Sequence, residues 1–356
     1  MNRSAVAVQI KCPDDQTSEL GPASGGAGPR PGPFAGAEPT GLAGTLSPLI
    51  EEYRERAEKL GKMPDHLLEA LISEQAFRLY SPRDLGGFEA SPVDVLAALE
   101  QIARIDGPTA WILWSLNMGF IADRAGEAVS WVWGMGPDPL IAYSRQAGRI
   151  EAVAGGYRLS GQWEAVPGAR LADWLLLCAH TDEGDPRFLV IPRGSARTAG
   201  RTGKFPAWMA YGRVTVDDVF VPIGFSYAAE EAGRLTQSPY RWPTAELVRL
   251  GASAVVAGVA RSALDLRGPT TPPADSAARL AAAFESLRSE VRTGTDIRAL
   301  QGAMERTLEA AQAALNTVTD VSRDDRSPVH EAARRFVQIG TAVLGALRAP
   351  DGDIRR

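Results

Sequence analysis

Apolar residues recur at helical spacing over the first third of the chain. Leu49, Tyr53 and Ala57 mark one helix from about Leu46, and Pro64 with Asp65 starts a second carrying Leu67, Leu68, Leu71 and Ile72. Ser91 and Pro92 have the types of an N-cap and a first helical position, opening a helix whose Val95, Leu96, Leu99 and Ile102 share one face. After Asp106-Gly107-Pro108 comes a segment from Thr109 to about Ile121 that is apolar on all sides, with Trp111, Ile112, Leu113, Trp114, Leu116 and Met118. All-round apolarity predicts a buried helix. Near Leu140 the pattern shortens. Leu140–Tyr143, Gly156–Trp163, Trp174–His180, Phe188–Ile191 and Arg213–Val221 are β-branched or alternating runs between Gly, Pro and Asp turns, which predicts antiparallel strands. The helical period returns from Ala245 through Leu264, breaks at Pro269–Pro273, and resumes from Ser276, Ile297 and Ser327. Ser327-Pro328 repeats the cap and first-turn proline pattern.

The predicted organisation is α+β: a Gly/Pro-rich flexible tail over 1–44, an N-terminal helical domain over 45–138, a central antiparallel β-domain over 139–226 and a C-terminal helical bundle over 240–350. Tail segments such as Gly25 to Pro33 cannot bury enough apolar surface to offset their ordering entropy. The 356 residues, 45% of them apolar, suffice for a large core in two or three layers. A formal net charge of -5 with both signs dispersed argues against nucleic acid and against a polybasic membrane surface. Two cysteines, Cys12 and Cys178, exclude a disulfide framework, and His66, His180 and His330 stand without carboxylates or thiols at ligand spacing, so no metal is expected. No uninterrupted apolar run of about 18 residues occurs, and the expectation is a cytoplasmic protein without a membrane span. No nucleophile elbow, P-loop or dinucleotide fingerprint is present, and Gly86-Gly87 and Gly155-Gly156 read as turn glycines.

Four segments carry a resemblance. They are Phe77-Arg78-Leu79-Tyr80-Ser81-Pro82-Arg83-Asp84-Leu85-Gly86-Gly87, Ala103-Arg104-Ile105-Asp106-Gly107-Pro108-Thr109-Ala110-Trp111, Gly155 to Trp163, and Ala172-Asp173-Trp174. In this order and spacing the chain resembles the acyl-CoA dehydrogenase superfamily from about Leu46 to Ala346, and within it the two-component (group D) flavin monooxygenases. The resemblance implies a β-domain between two helical domains, a homotetramer or homodimer joined through the C-terminal bundle, FMN or FAD delivered reduced by a separate flavin reductase, and a small secondary-metabolite-type substrate. It places Trp163, Val166, Pro167, Gly168, Trp208 and Tyr211 at the flavin, and Trp111, Trp114, Asn117 and Arg145 at the substrate.

The departures from the family pattern are concentrated at the flavin. Pro167 stands where the family has a serine and Leu171 where it has a histidine, and proline has neither hydroxyl nor N–H to donate. Before Val214–Pro222, a Gly-Thr-Gly-Ser-like loop is replaced by Phe205-Pro206-Ala207-Trp208-Met209-Ala210-Tyr211. The family's further helix with Arg-Asp and His has no counterpart after Ala349-Pro350-Asp351-Gly352. Three functions follow as expectations: a flavin-dependent monooxygenase or oxidoreductase; a flavin-free redox-neutral cyclase, dehydratase or isomerase; and a non-catalytic partner of an active paralogue. Tyr143, Glu164 and Asp173 are the candidate proton-transfer groups. The expected cavity is mainly apolar, lies between the β-domain and the Trp111–Asn117 helix, and has Asn117, Tyr143, Arg145 and Glu164 as polar contacts.

Overall fold

The computed structural model describes residues 39–348 except 61, 82, 84–86, 120–131, 133–138, 183, 185, 201–206, 229–243, 267–273, 295 and 322–327. The first helix, α1, spans Pro39–Leu60. It begins earlier than the sequence suggested, because Leu42 and Ala43 are buried together with Leu46 and Ile50 and give the first turns an apolar stripe. Residues 39–44 are thus helical rather than part of the tail; the rest of the expected tail lies outside the described residues.

Helix α2 spans Asp65–Ser73 and α3 spans Pro92–Ile105. Ser91 caps α3 as its type implied, its hydroxyl oxygen accepting from the Asp94 N–H at 3.2 Å. Helix α4, Gly107–Asn117, is buried at every position. Its N-cap is Asp106, whose Oδ2 accepts from the Thr109 N–H at 2.9 Å and from its hydroxyl at 2.7 Å. Phe120, Trp131 and Trp133 lie outside the described residues, as does Ser327.

The β-domain holds β1 (Ile141–Val153), β2 (Gly156–Val166), β3 (Trp174–His180), β4 (Pro186–Pro192), β5 (Arg197–Ala199), β6 (Gly212–Pro222) and β7 (Ser226–Ala228). They form one sheet in the order β5-β6-β2-β1-β3-β4-β7. The expectation of an antiparallel domain needs one correction: β1 and β3 pair in parallel. The hairpin strand β2 occupies one side of β1, so β3 meets the other side running in the same direction. Strand β1 breaks its register between Ser144 and Gly148. There the Trp163 ring crosses so closely that a Cβ on Gly148 would lie 2.2 Å from Cζ2. The tight β1–β2 turn uses Gly155 at φ +80°.

Helices α5 (Thr244–Asp265), α6 (Ala274–Thr293), α7 (Ile297–Val321) and α8 (Pro328–Arg348) complete the α, β, α order. Helix α5 is central, packed against α3, α4, α7 and α8. Its Glu246–Asp265 stretch is long and apolar enough to cross a membrane, but 83% of the apolar window is buried inside the protein, as a core helix requires.

Candidate functional site

Three parts of the chain meet on α4. The first is the turn that follows β2. Gly168 sits at φ +71°, and a Cβ there would lie 2.6 Å from Leu116 Cδ2, so the turn rests directly on the helix. Glycine is needed on both counts. The Leu171 and Ala172 N–H groups both donate to the Gly168 carbonyl, at 2.9 and 3.0 Å, which spends these two donors of the turn internally.

The second part is the segment Ala207–Tyr211, which begins as a 3-10 turn over Ala207–Met209. Ala210 has φ +52°, a left-handed conformation that costs a non-glycine residue about 1 kcal/mol. The bend lays Tyr211 against Trp111, with ring centroids 6.4 Å apart and planes 40° apart. Burial pushes the Tyr211 hydroxyl well above its ordinary range, so it stays protonated. The Trp111 indole N–H is buried and donates to no group in the structure. Such an orphan donor costs about 1–3 kcal/mol unless something accepts from it.

The third part is the N-terminal end of α4, where a cavity of about 260 Å³ opens. Met63, Pro108, Ile112, Trp208 and Ile339 form its apolar walls. Lys62, Asp106, Thr109, Arg335 and Gln338 supply polar atoms. Arg335 Nη2 stands 3.9 Å from Asp106 Oδ1. Among these, sequence reasoning singled out only Trp208. Asp106 was visible as the residue before an apolar helix, a position that reads first as a cap, and Arg335 and Gln338 arrive from α8, far away in sequence.

The other predicted site residues are dispersed. Trp163 is fully buried in the β-domain core and donates its Nε1–H to the Cys178 carbonyl at 3.0 Å. Val166 is buried at the end of β2, and Pro167, half-buried, follows it. Trp114 donates to the Val248 carbonyl at 3.1 Å, and its ring lies where a Cβ on Gly251 would stand. Asn117 accepts from the Leu79 N–H at 2.9 Å and donates to the Ala76 and Leu113 carbonyls at 2.7 and 2.9 Å. Its polar capacity is taken by the backbone, which explains how an amide sits in an apolar helix.

Tyr143 packs on Phe188 at 5.7 Å between ring centroids. Arg145, half-buried on β1, partly offsets the effect of burial on Cys178, whose thiol is pushed up to about 11. Glu164 is 43% exposed and paired with Arg213 Nε at 2.7 Å. That hydrogen bond, with a second from Gln162, holds its carboxyl below the usual range. Asp173 is exposed and clips the sheet: its Oδ2 accepts from the Leu140 N–H at 3.0 Å, while its own N–H donates to the Leu140 carbonyl at 2.7 Å. None of the four expected polar contacts, Asn117, Tyr143, Arg145 and Glu164, lines the cavity at the α4 terminus. Among the described residues no cluster of His, Cys, Asp or Glu could hold a metal ion.

No family model matches the chain. It is similar to the indole-3-acetate monooxygenase of Pseudomonas putida, 27% identical over 233 residues that cover 61% of this chain and 59% of that protein. It is similar also to the flavin-dependent monooxygenase oxygenase subunit HsaA of Rhodococcus jostii, 29% identical over 242 residues, 62% of each chain. The aligned part spans about three fifths of the length of these relatives. In structure it matches the HsaA monooxygenase from M. tuberculosis with a TM-score of 0.78 at 20% identity, covering 88% of this chain and 93% of that one. XiaF from Streptomyces sp., solved in complex with FADH2 and glycerol, matches with a TM-score of 0.70 at 17% identity, covering 87% and 94%. The fold is therefore acyl-CoA dehydrogenase-like, and the sequence relatives are named as flavin-dependent monooxygenases and hydroxylases.

Proposed function

We propose that the protein is the oxygenase component of a two-component flavin-dependent monooxygenase that hydroxylates a small aromatic substrate, with FMN or FAD supplied in reduced form by a separate reductase. The observation that carries this reading is the sequence similarity to named monooxygenases, reported above, on a fold that sets the β2 turn and the Trp208–Tyr211 segment against one buried helix. The same names favour it over the flavin-free alternative.

The residues fit a planar, weakly anchored ring. Trp111 and Tyr211 offer aromatic surface, and the orphan Trp111 N–H can donate to a ring carbonyl or nitrogen. Entry requires Tyr211 or the β2 turn to shift, because both now pack directly on α4. Pro167 has no N–H to give, and the Leu171 and Ala172 N–H groups of the turn beyond it are already spent on the Gly168 carbonyl. When bound, a reduced flavin supplies the activation of dioxygen. The protein's own contribution is to orient the ring, through Trp111, and to exclude water with the fully buried α4. Tyr211, held protonated, can donate a hydrogen bond but is a poor base. Glu164 and Asp173 stand exposed in structural pairings, outside this region.

The test is an anaerobic titration with reduced and oxidised FMN and FAD. Weak binding that favours the reduced form is expected. Sub-micromolar binding of oxidised flavin contradicts the assignment of Pro167 and the bulky loop as weakening features. Absence of binding by either form transfers support to the redox-neutral alternative.

A further inference from the structure

The two pieces of the β-domain that rest on α4 are joined to each other. Val166, at the end of β2, pairs with Gly212, the first residue of β6. Ala169 in the turn stands where a Cβ on Gly212 would meet it at 3.3 Å. The pair is cut off from the rest of the β2–β6 ladder by the register shift between Trp163 and Val166, an irregularity that disrupts the ladder locally. The turn is stiff within itself, because Pro167 has a fixed φ and the Leu171 and Ala172 N–H groups close on the Gly168 carbonyl. Beyond these pieces the chain is pinned. Asp173 clips to Leu140, and Arg213, Val214 and Thr215 pair with β5.

Three unfavourable features of this closed arrangement fall at one spot. Ala165 and Ala210 have φ of +51° and +52°, a left-handed conformation that alanine adopts only under constraint. One directly precedes Val166 and the other lies two residues before Gly212, so the strained residues flank the shared pair. The third feature is the Trp111 indole N–H, buried beside the Tyr211 ring with no acceptor.

We infer that residues 166–172 and 207–211 form one flap, which lifts from α4 by backbone rotation at Ala165 and Ala210 and uncovers the Trp111 indole. Lifting parts Gly168 from Leu116 and Tyr211 from Trp111, lets both alanines return to ordinary φ, and gives the indole N–H to water. The closed flap is held by side-chain contact and opposed by strain and an unmet donor, a balance that favours local opening over global unfolding. What the open flap admits rests on the flavin reading; the opening itself is a property of the apoprotein.

Hydrogen–deuterium exchange of the tryptophan indole N–H groups, followed by NMR on the flavin-free protein, tests it. The Trp111 indole is expected to exchange at least about 10-fold faster than that of Trp163, which donates to Cys178 O in the β-domain core. The double variant Leu116→Cys/Gly168→Cys, made with Cys12→Ser, can lock the flap. A Cβ at position 168 would lie 3.1 Å from Leu116 Cγ, the place of the sulfur in Leu116→Cys, which matches the geometry of a disulfide. Oxidation should bring the Trp111 rate down to that of Trp163, and dithiothreitol should restore the difference. Ala165→Gly and Ala210→Gly relieve the strain of the closed flap, so each should slow Trp111 exchange by about 3- to 10-fold, the reverse of the loosening glycine ordinarily brings. Equal Trp111 and Trp163 rates in the wild type, a formed cross-link that leaves Trp111 exchange unchanged, or glycine variants that both fail to slow it would each overturn the flap. Should the double variant not fold or not oxidise, the wild-type rates and the glycine variants decide it. The expected exchange pattern in a protein that binds neither redox form of FMN or FAD would leave the flap standing and count against the flavin reading alone.

Discussion

Replacing Asn117 by alanine separates a structural amide from a ligand contact. The side chain has no exposed surface, and it joins α4 to the segment between α2 and α3 by accepting from Leu79 N–H and donating to Ala76 O. Truncation leaves that N–H and that carbonyl buried without partners, each costing about 1–3 kcal/mol, and opens a small void. The Leu113 carbonyl loses less, because it lies in the interior of α4 and keeps its place in the helical ladder. The expected loss is about 3 to 5 kcal/mol, allowing for partial relaxation of the segment. Urea denaturation followed by tryptophan fluorescence and by circular dichroism measures it, and the slope should stay unchanged while the midpoint falls. A loss below about 1 kcal/mol, within the usual range for surface substitutions, would refute the hydrogen-bond account. So would an unchanged midpoint accompanied by a large change in ligand affinity, which would return Asn117 to the binding site.

Gly148→Ala should destabilise the β-domain by several kcal/mol or prevent folding, because its Cβ would overlap the Trp163 ring, which is held in place by Cys178 O; the midpoint of thermal unfolding reports it. Glu164 has a depressed folded-state pKa, so its pairing with Arg213 contributes stability above the unfolded carboxyl pKa that is lost as pH falls through the folded value. Because the pair is exposed, Glu164→Gln should remove less than about 1 kcal/mol at neutral pH and nothing at strongly acidic pH, as read from stability against pH. Replacing Trp208 and Tyr211 by glycine and serine should improve flavin affinity if their bulk obstructs the ring; unaltered affinity with lost turnover would assign both to the substrate instead.

Helix order and burial were legible where one physical pattern dominated. The Thr109–Ile121 segment had no polar face, so α4 had to be enclosed, and Ser91-Pro92 had to start a helix. The strand runs were readable but their neighbours were not: alternation shows that β1 and β3 are strands without telling which edges meet, and the parallel pair depends on where β2 docks. At the site, the polar residues most visible by type proved to have local partners. Asn117 serves the backbone, Asp173 the β1–β3 junction and Glu164 a surface arginine. Asp106 was hidden by its capping role, since a single residue type serves both the helix and the cavity. The meeting of Asp106 with Arg335 requires α4 and α8 to be side by side, a contact that no local pattern encodes.

The reoxidation of reduced flavin by dioxygen, followed by stopped-flow absorbance with and without an excess of the protein, tests the central claim most directly. It needs no knowledge of the substrate. An oxygenase component that orients the ring in a water-excluding site should alter the time course of reoxidation in proportion to the protein added, up to saturation. A time course identical to that of free flavin at every protein concentration would contradict the account.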